Sequence, residues 1–182
     1  MTARDKRMPE FDDAVVRAMA KWPNVPQCFG WLALDRRGGW RIQGEPIRHA
    51  RAIAFLSQHY RADERGRWYV QNGPQRVFVD LEYTPWVFRY HPQEGFATHT
   101  GIAGNDLQTV LADDQGNLLL VSGIGIGVLD DRDLETCSEL LRFEGADDVP
   151  SAMEWRGAIL SIAVIERSRV GLVYGFDPSP RE

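Results

Sequence analysis

Basic side chains, mostly arginine, are concentrated together with aromatic ones between Arg48 and Arg76. The basic residues include Arg48, His49, Arg51, Arg61, Arg65, Arg67 and Arg76, and they are interleaved with Tyr60, Trp68 and Tyr69. Guanidinium groups bind phosphate through paired hydrogen bonds, and aromatic rings can stack a base. The stretch therefore predicts a site for an anionic, nucleotide-like ligand. The alternative is a solvated face whose arginines pair with Asp63 and Glu64, because surface charge usually has no ligand role.

A glycine-rich segment, residues 123–127, follows a predicted strand and precedes a predicted helix. A phosphate-binding loop needs glycines whose backbone N–H groups cradle oxygen atoms at a helix N-terminus. The spacing here matches neither G-x-G-x-x-G nor a P-loop, and Asp130, Asp131 and Asp133 would repel phosphate. We therefore expect a strand whose glycines let another backbone approach closely.

Catalytic and metal-binding motifs are not recognisable in the sequence. The two cysteines, Cys28 and Cys137, are isolated, and no G-x-S-x-G segment occurs. The histidines have no tight metal-ligand spacing; they are His49, His59, His91 and His99. We therefore predict no catalytic residue, no metal and no cofactor, and a binding module rather than an enzyme. An enzyme assembled only in three dimensions, with His91 or His99 as its base, stays a third alternative.

The composition and charge of the chain narrow the classes of protein to which it can belong. With 182 residues, 43% of them hydrophobic, the chain has the size of one domain or two small ones. A net charge of −5 argues against non-specific nucleic-acid binding, which needs a basic surface. Neither a secretory signal nor an apolar run of about 20 residues is present. We expect a cytoplasmic protein with no nucleic-acid or membrane partner.

The elements that position these residues are short. Apolar spacing predicts helices over 9–22, 46–60 and 131–143, and hairpins over 28–43 and around Asn72-Gly73. Two closing strands are predicted over 158–166 and 170–176. Because helices do not alternate regularly with strands, we predict an α+β fold of mostly antiparallel, short-stranded sheets with about three helices. We divide the chain into an N-terminal α+β unit, 1–66, and a C-terminal β-rich unit with one helix, 67–182.

The middle of the chain resembles a bacterial, proteobacterial family of unknown function. Residues 39–47 follow its pattern G-x-W-x-x-x-G-x-P-I only approximately, residues 55–57 its Leu-x-Ser element, and residues 60–70 its L-R-x-D-E-x-G-x-Y segment. Residues 72–86 resemble its V-x-V-E-D-A-P-F region, and residues 96–100 and 106–113 loosely resemble its F-x-T-N-x-G-D-x-V segment. The resemblance covers about residues 28–115.

The resemblance implies a fold and a ligand. Members of that family look like two packed, duplicated α+β units, the second barrel-like and superficially like a pleckstrin-homology domain. The cleft between the units is thought to bind a nucleotide-like ligand in a signalling role. On this chain the resemblance implies ligand contacts at Trp40, Arg61, Trp68, Gln75 and Arg76. The sequence departs from the family at Gln75-Arg76, where the family has an acidic-basic pair, and at His99, where the family has asparagine.

We therefore expect a non-catalytic protein that binds or senses a small, nucleotide-like anion and has a regulatory role. The alternative is a protein–protein interaction module or a homodimer, which the six tryptophans and many short strands favour.

Overall fold

In the computed structural model, which describes residues 13–21, 25–144 and 150–182, the chain divides into two units. Unit 1 comprises the residues up to Pro85 together with Gly175–Glu182, and unit 2 comprises Trp86–Tyr174. The boundary predicted after residue 66 differs from this division. The reason is pairing: the strands that follow residue 66 join the same sheet as the strands that precede it.

A six-stranded sheet forms the centre of unit 1, which also contains two helices in its described residues. Its strand order is β3-β2-β1-β6-β5-β4, with β1 and β6 parallel and the other neighbours antiparallel. Parallel neighbours need a long connection, and the chain between β1 and β6 supplies one that contains α2. The elements are α1 (Asp13–Lys21), β1 (Cys28–Leu34), β2 (Trp40–Ile42), β3 (Glu45–Pro46), α2 (Ala50–Gln58), β4 (Tyr60–Ala62), β5 (Trp68–Asn72) and β6 (Gln75–Leu81).

The predicted helix over 46–60 forms, but it begins later, as α2. His49 is its N-cap and accepts a hydrogen bond from the Ala52 amide at 3.4 Å. Pro46 does not start the helix, because Glu45–Pro46 pairs with β2 as a short edge strand. The first predicted helix overlaps α1; its residues 9–12 and 22 lie outside the described residues.

Aromatic packing fills one face of the unit 1 sheet. The Trp40 ring meets the Tyr60 ring edge-on at 5.1 Å, and Tyr60 lies 4.7 Å from Trp68 between ring centroids. All three side chains are buried. The Tyr60 hydroxyl donates to the Pro85 carbonyl at 2.9 Å, so this buried phenol is satisfied.

Unit 2 contains an eight-stranded sheet in the order β12-β13-β14-β9-β10-β11-β7-β8. The pairs β14–β9 and β11–β7 are parallel and the others antiparallel, so both sheets of the chain are mixed. The prediction of mostly antiparallel sheets included none of these parallel pairs. The elements are β7 (Trp86–His91), β8 (Gly95–Thr98), β9 (Thr109–Asp113), β10 (Leu118–Ser122), β11 (Gly125–Leu129), α3 (Leu134–Cys137), β12 (Leu141–Arg142), β13 (Ala152–Trp155), β14 (Ala158–Ile165) and α4 (Val170–Tyr174).

Two predicted elements of unit 2 differ from those observed. The helix expected over 131–143 is broken into a 3₁₀ turn, the four-residue α3, a second 3₁₀ turn and β12. The strand expected over 170–176 is instead α4, whose Val170 is buried. A short apolar run cannot be assigned to strand or helix from periodicity alone, and tertiary packing decides.

The glycine-rich segment 123–127 enters strand β11 rather than a ligand-binding loop. β11 lies parallel to β7. A side chain at Gly127 would come within 2.7 Å of the Phe88 ring and 2.8 Å of the Trp86 Cβ atom. The missing side chain therefore makes room for aromatic residues of the neighbouring strand, and no phosphate cradle is formed.

The segment 175–182 returns to unit 1 and packs beside two of its elements. The Asp177 amide donates to the Gly66 carbonyl at 3.1 Å, and the Leu81 amide donates to the Pro178 carbonyl at 2.8 Å. A Cβ atom on Gly66 would overlap the Gly175 carbonyl oxygen. At Gly66 this segment therefore lies directly against the 63–67 turn.

Two glycines of unit 1 have a left-handed backbone conformation. Replacing each by alanine separates the cost of backbone strain from the cost of steric overlap with a neighbouring group. Gly30 has φ 72° and open space where a side chain would begin, whereas Gly66 has φ 76° and the Gly175 carbonyl against that position. We expect Gly30→Ala to lower the free energy of unfolding by about 1–2 kcal/mol through backbone strain alone. Gly66→Ala should cost roughly 1–3 kcal/mol more through overpacking. Urea denaturation followed by tryptophan fluorescence measures both, and equal losses would contradict the assigned contact.

Candidate functional site

Two of the residues expected to contact a ligand, Trp40 and Trp68, lie instead in the core of unit 1. Their rings pack on Tyr60, and Trp40 Nε1 donates to Ser57 Oγ at 3.4 Å. Because they are buried and occupied by their neighbours, neither offers a ring face to a ligand. They position the site by holding the sheet rather than by binding.

The opposite face of the same strands carries arginine and aromatic side chains. Successive residues of a strand point to opposite faces, so Tyr69 lies on the other side from Trp68. The Arg76 guanidinium lies over the Tyr69 ring, 4.8 Å from its centroid, and Arg67 lies 4.5 Å over the Phe78 ring. Arg61 is directly opposite Tyr69 in the β4–β5 pair. These cation–π contacts gather guanidinium groups around buried rings.

This face contains an open cleft of about 710 Å³, here called the arginine cleft. Its cations are Arg65, Arg67 and Arg76, and its rings are Phe29 and Tyr69. Its other polar walls are Gln27, Asp63, Glu64 and Glu182. Phe29 stacks on Phe78 at 4.5 Å and remains half-exposed toward solvent. The cleft therefore combines charged donors, carboxylate acceptors and an accessible aromatic surface.

Asp63 fixes one of the three arginines. Its carboxylate accepts from Arg67 Nε at 2.8 Å and from the backbone amides of Arg65 and Arg67, both at 2.9 Å. Burial acts to raise the pKa of Asp63, but these hydrogen bonds and the Arg67 charge outweigh burial and hold the pKa below its ordinary value. The pairing with Asp63 that the sequence allowed as an alternative is therefore present for Arg67.

Arg65 and Arg76 differ from Arg67 in having no carboxylate partner among residues 13–21, 25–144 and 150–182. Within the described part of the chain, the Arg76 side chain contacts the Tyr69 ring, and Arg65 is fixed through its backbone amide. Planar guanidinium groups of this kind keep their hydrogen-bond donors available for an incoming anion. These two side chains are the ones best placed to bind a ligand in the cleft.

The protonation states around Tyr69 follow from its burial. Burial raises the pKa of the Tyr69 phenol, while the charges of Arg76 and Arg61 act in the opposite direction. Burial also lowers the pKa of Arg61. Because the raised pKa keeps the phenol neutral at neutral pH, the ring serves as a platform for Arg76 rather than as a base.

Gln75 and His99, the two other predicted contacts, do not line the arginine cleft. Gln75 Nε2 donates to the Pro26 carbonyl at 3.1 Å and so ties β6 to the chain before β1. His99 belongs to unit 2, where its Nδ1 accepts from the Val87 amide at 3.3 Å and its ring lies 5.8 Å from Trp86. Of the predicted contacts, Arg76 lines the arginine cleft, whereas Arg61 lies opposite Tyr69 in the β4–β5 pair and is not part of the cleft lining.

Tyr69, Phe29 and Arg65 contribute to the cleft although the sequence analysis did not select them as contacts. Tyr69 and Arg65 stood within the basic stretch, and the alternation about Trp68 was the signal that could have identified Tyr69. Phe29 had no such signal, because its side chain is directed by an irregularity in β1. That strand has extra residues between the pairs Cys28–Val77 and Leu32–Val79.

Other side chains that could take part in binding or catalysis instead make structural contacts. Arg89 binds Asp133 through Nε at 2.7 Å and Nη2 at 3.1 Å, and Asp133 also accepts from the Tyr90 amide. Burial raises the pKa of Cys137 to about 12, so its thiol remains protonated at neutral pH. Among the described residues, no group of three or more His, Cys, Asp or Glu side chains is arranged to hold a metal ion.

The comparisons with known proteins identify a family without an assigned role. The chain belongs to the DUF2944 family, described as "Protein of unknown function (DUF2946)", whose profile matches residues 11–181. No curated protein matches the chain. The expectation of a family of unknown function is thus confirmed. Separately, within the described residues no helix has the length and apolar character needed to cross a membrane.

Two bacterial structures are similar to the chain. One is a DUF1285 family protein from Silicibacter pomeroyi DSS-3, 18% identical with a TM-score of 0.53, covering 84% of this chain and 95% of that one. The other is a DUF1285 family protein from Shewanella baltica OS155, 13% identical with a TM-score of 0.44, covering 60% of this chain and 91% of that one. At such identity the first similarity supports a shared fold and nothing more.

Replacing Asp63 tests the hydrogen bonds that hold Arg67 in the cleft. We expect Asp63→Asn to lower the free energy of unfolding by about 2 kcal/mol at pH 7, because charged hydrogen bonds are lost. Since the folded pKa of Asp63 is lowered, its stabilisation is present above about pH 4 and disappears as pH falls through the folded pKa. The difference between the variant and the wild type should therefore shrink in acid. Urea titrations at several pH values measure it, with exposed Glu166→Gln as control; a pH-independent difference would contradict this assignment.

Proposed function

We propose that this protein is a non-catalytic, cytoplasmic ligand-binding protein with a regulatory role, and that its ligand is a small nucleotide-like anion. The observation that supports the proposal is the Arg76 guanidinium stacked on Tyr69 at 4.8 Å in the wall of an open cleft. The ring holds the guanidinium plane in place, so little side-chain freedom is lost when an anion binds.

The mixed charge of the cleft favours a nucleotide over a simple anion. Arg65 and Arg76 can bind phosphate oxygens, whereas Glu64 and Glu182 can accept hydrogen bonds from amino or hydroxyl groups. Phe29 offers a half-exposed ring on which a base can stack. A ligand with phosphate, sugar hydroxyls and a base matches all three kinds of group.

The finer family features belong to the same proposal. We propose that unit 2 is related to the pleckstrin-homology fold and that the two units arose by duplication. These features were implied by the resemblance of residues 28–115, and they fit a regulatory module that responds to a small ligand.

An interaction module or homodimer is the second candidate. In unit 2 the apolar side chains of Ile159, Val164, Leu172 and Val173 are exposed, which is unusual for so many large apolar residues in one short stretch. A protein that light scattering shows to be strictly monomeric at high concentration would contradict homodimerisation.

A thermal-shift screen with purine and pyrimidine mono- and dinucleotides tests the ligand proposal. A ligand that binds only the native state stabilises it, by about 2.7 kcal/mol when present at a hundred times its dissociation constant. We expect at least one nucleotide at millimolar concentration to raise the melting temperature. If none does, the proposal is wrong.

Variants of Arg76 then locate the site. Arg76→Gln should weaken the binding of that nucleotide about tenfold, through loss of a charged, paired hydrogen bond. Arg76→Lys keeps the charge but loses the planar contact with Tyr69, so it should also weaken binding. Arg169→Gln, an exposed change in unit 2, is the matched control. Isothermal titration calorimetry measures all three, and equal affinities in all three variants would place binding elsewhere.

A further inference from the structure

A second cleft of unit 1 gathers apolar side chains that are otherwise rarely left in water. Trp31 is 54% exposed, Ile42 is 47% exposed and Phe55 is 39% exposed. All three line one cavity of about 260 Å³, here called the Trp31 cleft, together with Leu56 and Val77. Large apolar groups that converge on a concave surface are typical of a binding site.

The irregularity in β1 directs Trp31 into this cleft. Gly30 has φ 72°, and the pairing of β1 with β6 shifts between Cys28 and Leu32. Regular alternation would put Phe29 and Trp31 on the same face of the sheet. Instead Phe29 stacks on Phe78, while Trp31 lines a cavity with Leu32 and Val77. Bulges of this kind re-aim side chains, often beside functional sites.

The two clefts of unit 1 are chemically independent. Val77 lines the Trp31 cleft, and its strand neighbour Arg76 lines the arginine cleft. Likewise, Val70 lines the Trp31 cleft and Tyr69 the arginine cleft. Because successive residues of a strand face opposite sides of a sheet, a molecule bound in one cleft does not touch the other.

The charge beside the Trp31 cleft indicates what kind of molecule it would take. Helix α2 supplies Phe55 to the cleft wall and contains no acidic residue. Arg51 lies one turn before Phe55 on the same stripe of the helix, and exposed Arg48 precedes the helix. Neither arginine has an ion pair within the described part of the chain. An apolar cavity whose wall residue Phe55 lies one helical turn from the guanidinium-bearing Arg51 complements an apolar body that ends in an anionic head.

The size of the cleft limits that apolar body. A cavity of about 150 Å³ is enough to hold benzene. The Trp31 cleft, at about 260 Å³, has room for a body of the size of two fused rings or a short branched chain. We propose that the Trp31 cleft binds a small amphiphile, with its apolar part against Trp31, Ile42 and Phe55 and its carboxylate, sulfonate or phosphate group at Arg51.

Two fluorescent probes that differ by one sulfonate group, and whose two fused rings match the size of the cleft, test this proposal on the full chain. 8-Anilinonaphthalene-1-sulfonate has an apolar ring system and an anionic group, and N-phenyl-1-naphthylamine has the same rings without the charge. We expect both probes to bind the wild type, the anionic one more tightly. Phe55→Asp should weaken both about tenfold or more, because it places a charge in the apolar wall.

The head-group contact is tested separately. Arg51→Glu should weaken the sulfonate probe about tenfold and change the affinity of the neutral probe by less than about twofold. Equal effects of Arg51→Glu on the two probes, or none on either, would overturn the proposal. Arg169→Glu makes the same charge change on an exposed position of unit 2 and should leave both affinities unaltered.

Controls distinguish the cleft from other apolar surfaces. Leu172 in unit 2 is 84% exposed, and Leu172→Asp should leave probe binding unchanged. If Leu172→Asp abolishes binding and Phe55→Asp does not, the cleft is not the site. If light scattering shows a wild-type dimer that Phe55→Asp dissociates, a second copy of the chain occupies the cleft and the proposal is wrong. Thermal melts check that each variant is folded. If Phe55→Asp does not fold, Ile42→Asp is used in its place.

Discussion

The packing of Trp40, Tyr60 and Trp68 on one face of the six-stranded sheet is the contact on which the rest of unit 1 depends. These rings fix the facing of β2, β4 and β5, because a strand that buries one side chain must turn the next one to the other face. With Trp68 on one face of the sheet, Arg67 and Tyr69 lie on the opposite face. The arginine cleft is therefore a consequence of the aromatic core, although none of the three rings of that core lines it.

Much of the local structure was predictable because it depends on nearby residues. The hairpin between β5 and β6, with Gly73 at its turn, and the helix α2 follow from turn chemistry and apolar spacing. The parallel pairs β1–β6, β14–β9 and β11–β7 were not predictable in this way. They join strands far apart in the sequence, and period-two patterns do not say which strand lies beside which. α4 was missed for a related reason, since its five residues are too few for a helical period to emerge.

The sequence predicted which residue types form the candidate site, but not which face of the sheet each of them lies on. The basic and aromatic stretch contains Arg65, Arg67, Tyr69 and Arg76, all of which line the arginine cleft. The tryptophans chosen with them lie on the other face, because a one-residue difference in facing exchanges a core residue for a surface one. Glu182 and Phe29 approach the cleft through tertiary structure alone, one from the returning segment and the other beside an irregular strand. Neither feature has a local sequence signal.

The charges of the arginine cleft constrain how it can recognise a ligand. Its cations, Arg65, Arg67 and Arg76, are matched in number by Asp63, Glu64 and Glu182, and the whole chain has a net charge of −5. Such a surface does not attract anions over long distances, since steering needs an excess of one sign. Affinity must then come from short-range contacts: paired hydrogen bonds from oriented guanidinium groups, and stacking. The cation–π contact between Arg76 and Tyr69 matters for this reason, because it orients a donor group in a cleft whose overall field offers no assistance.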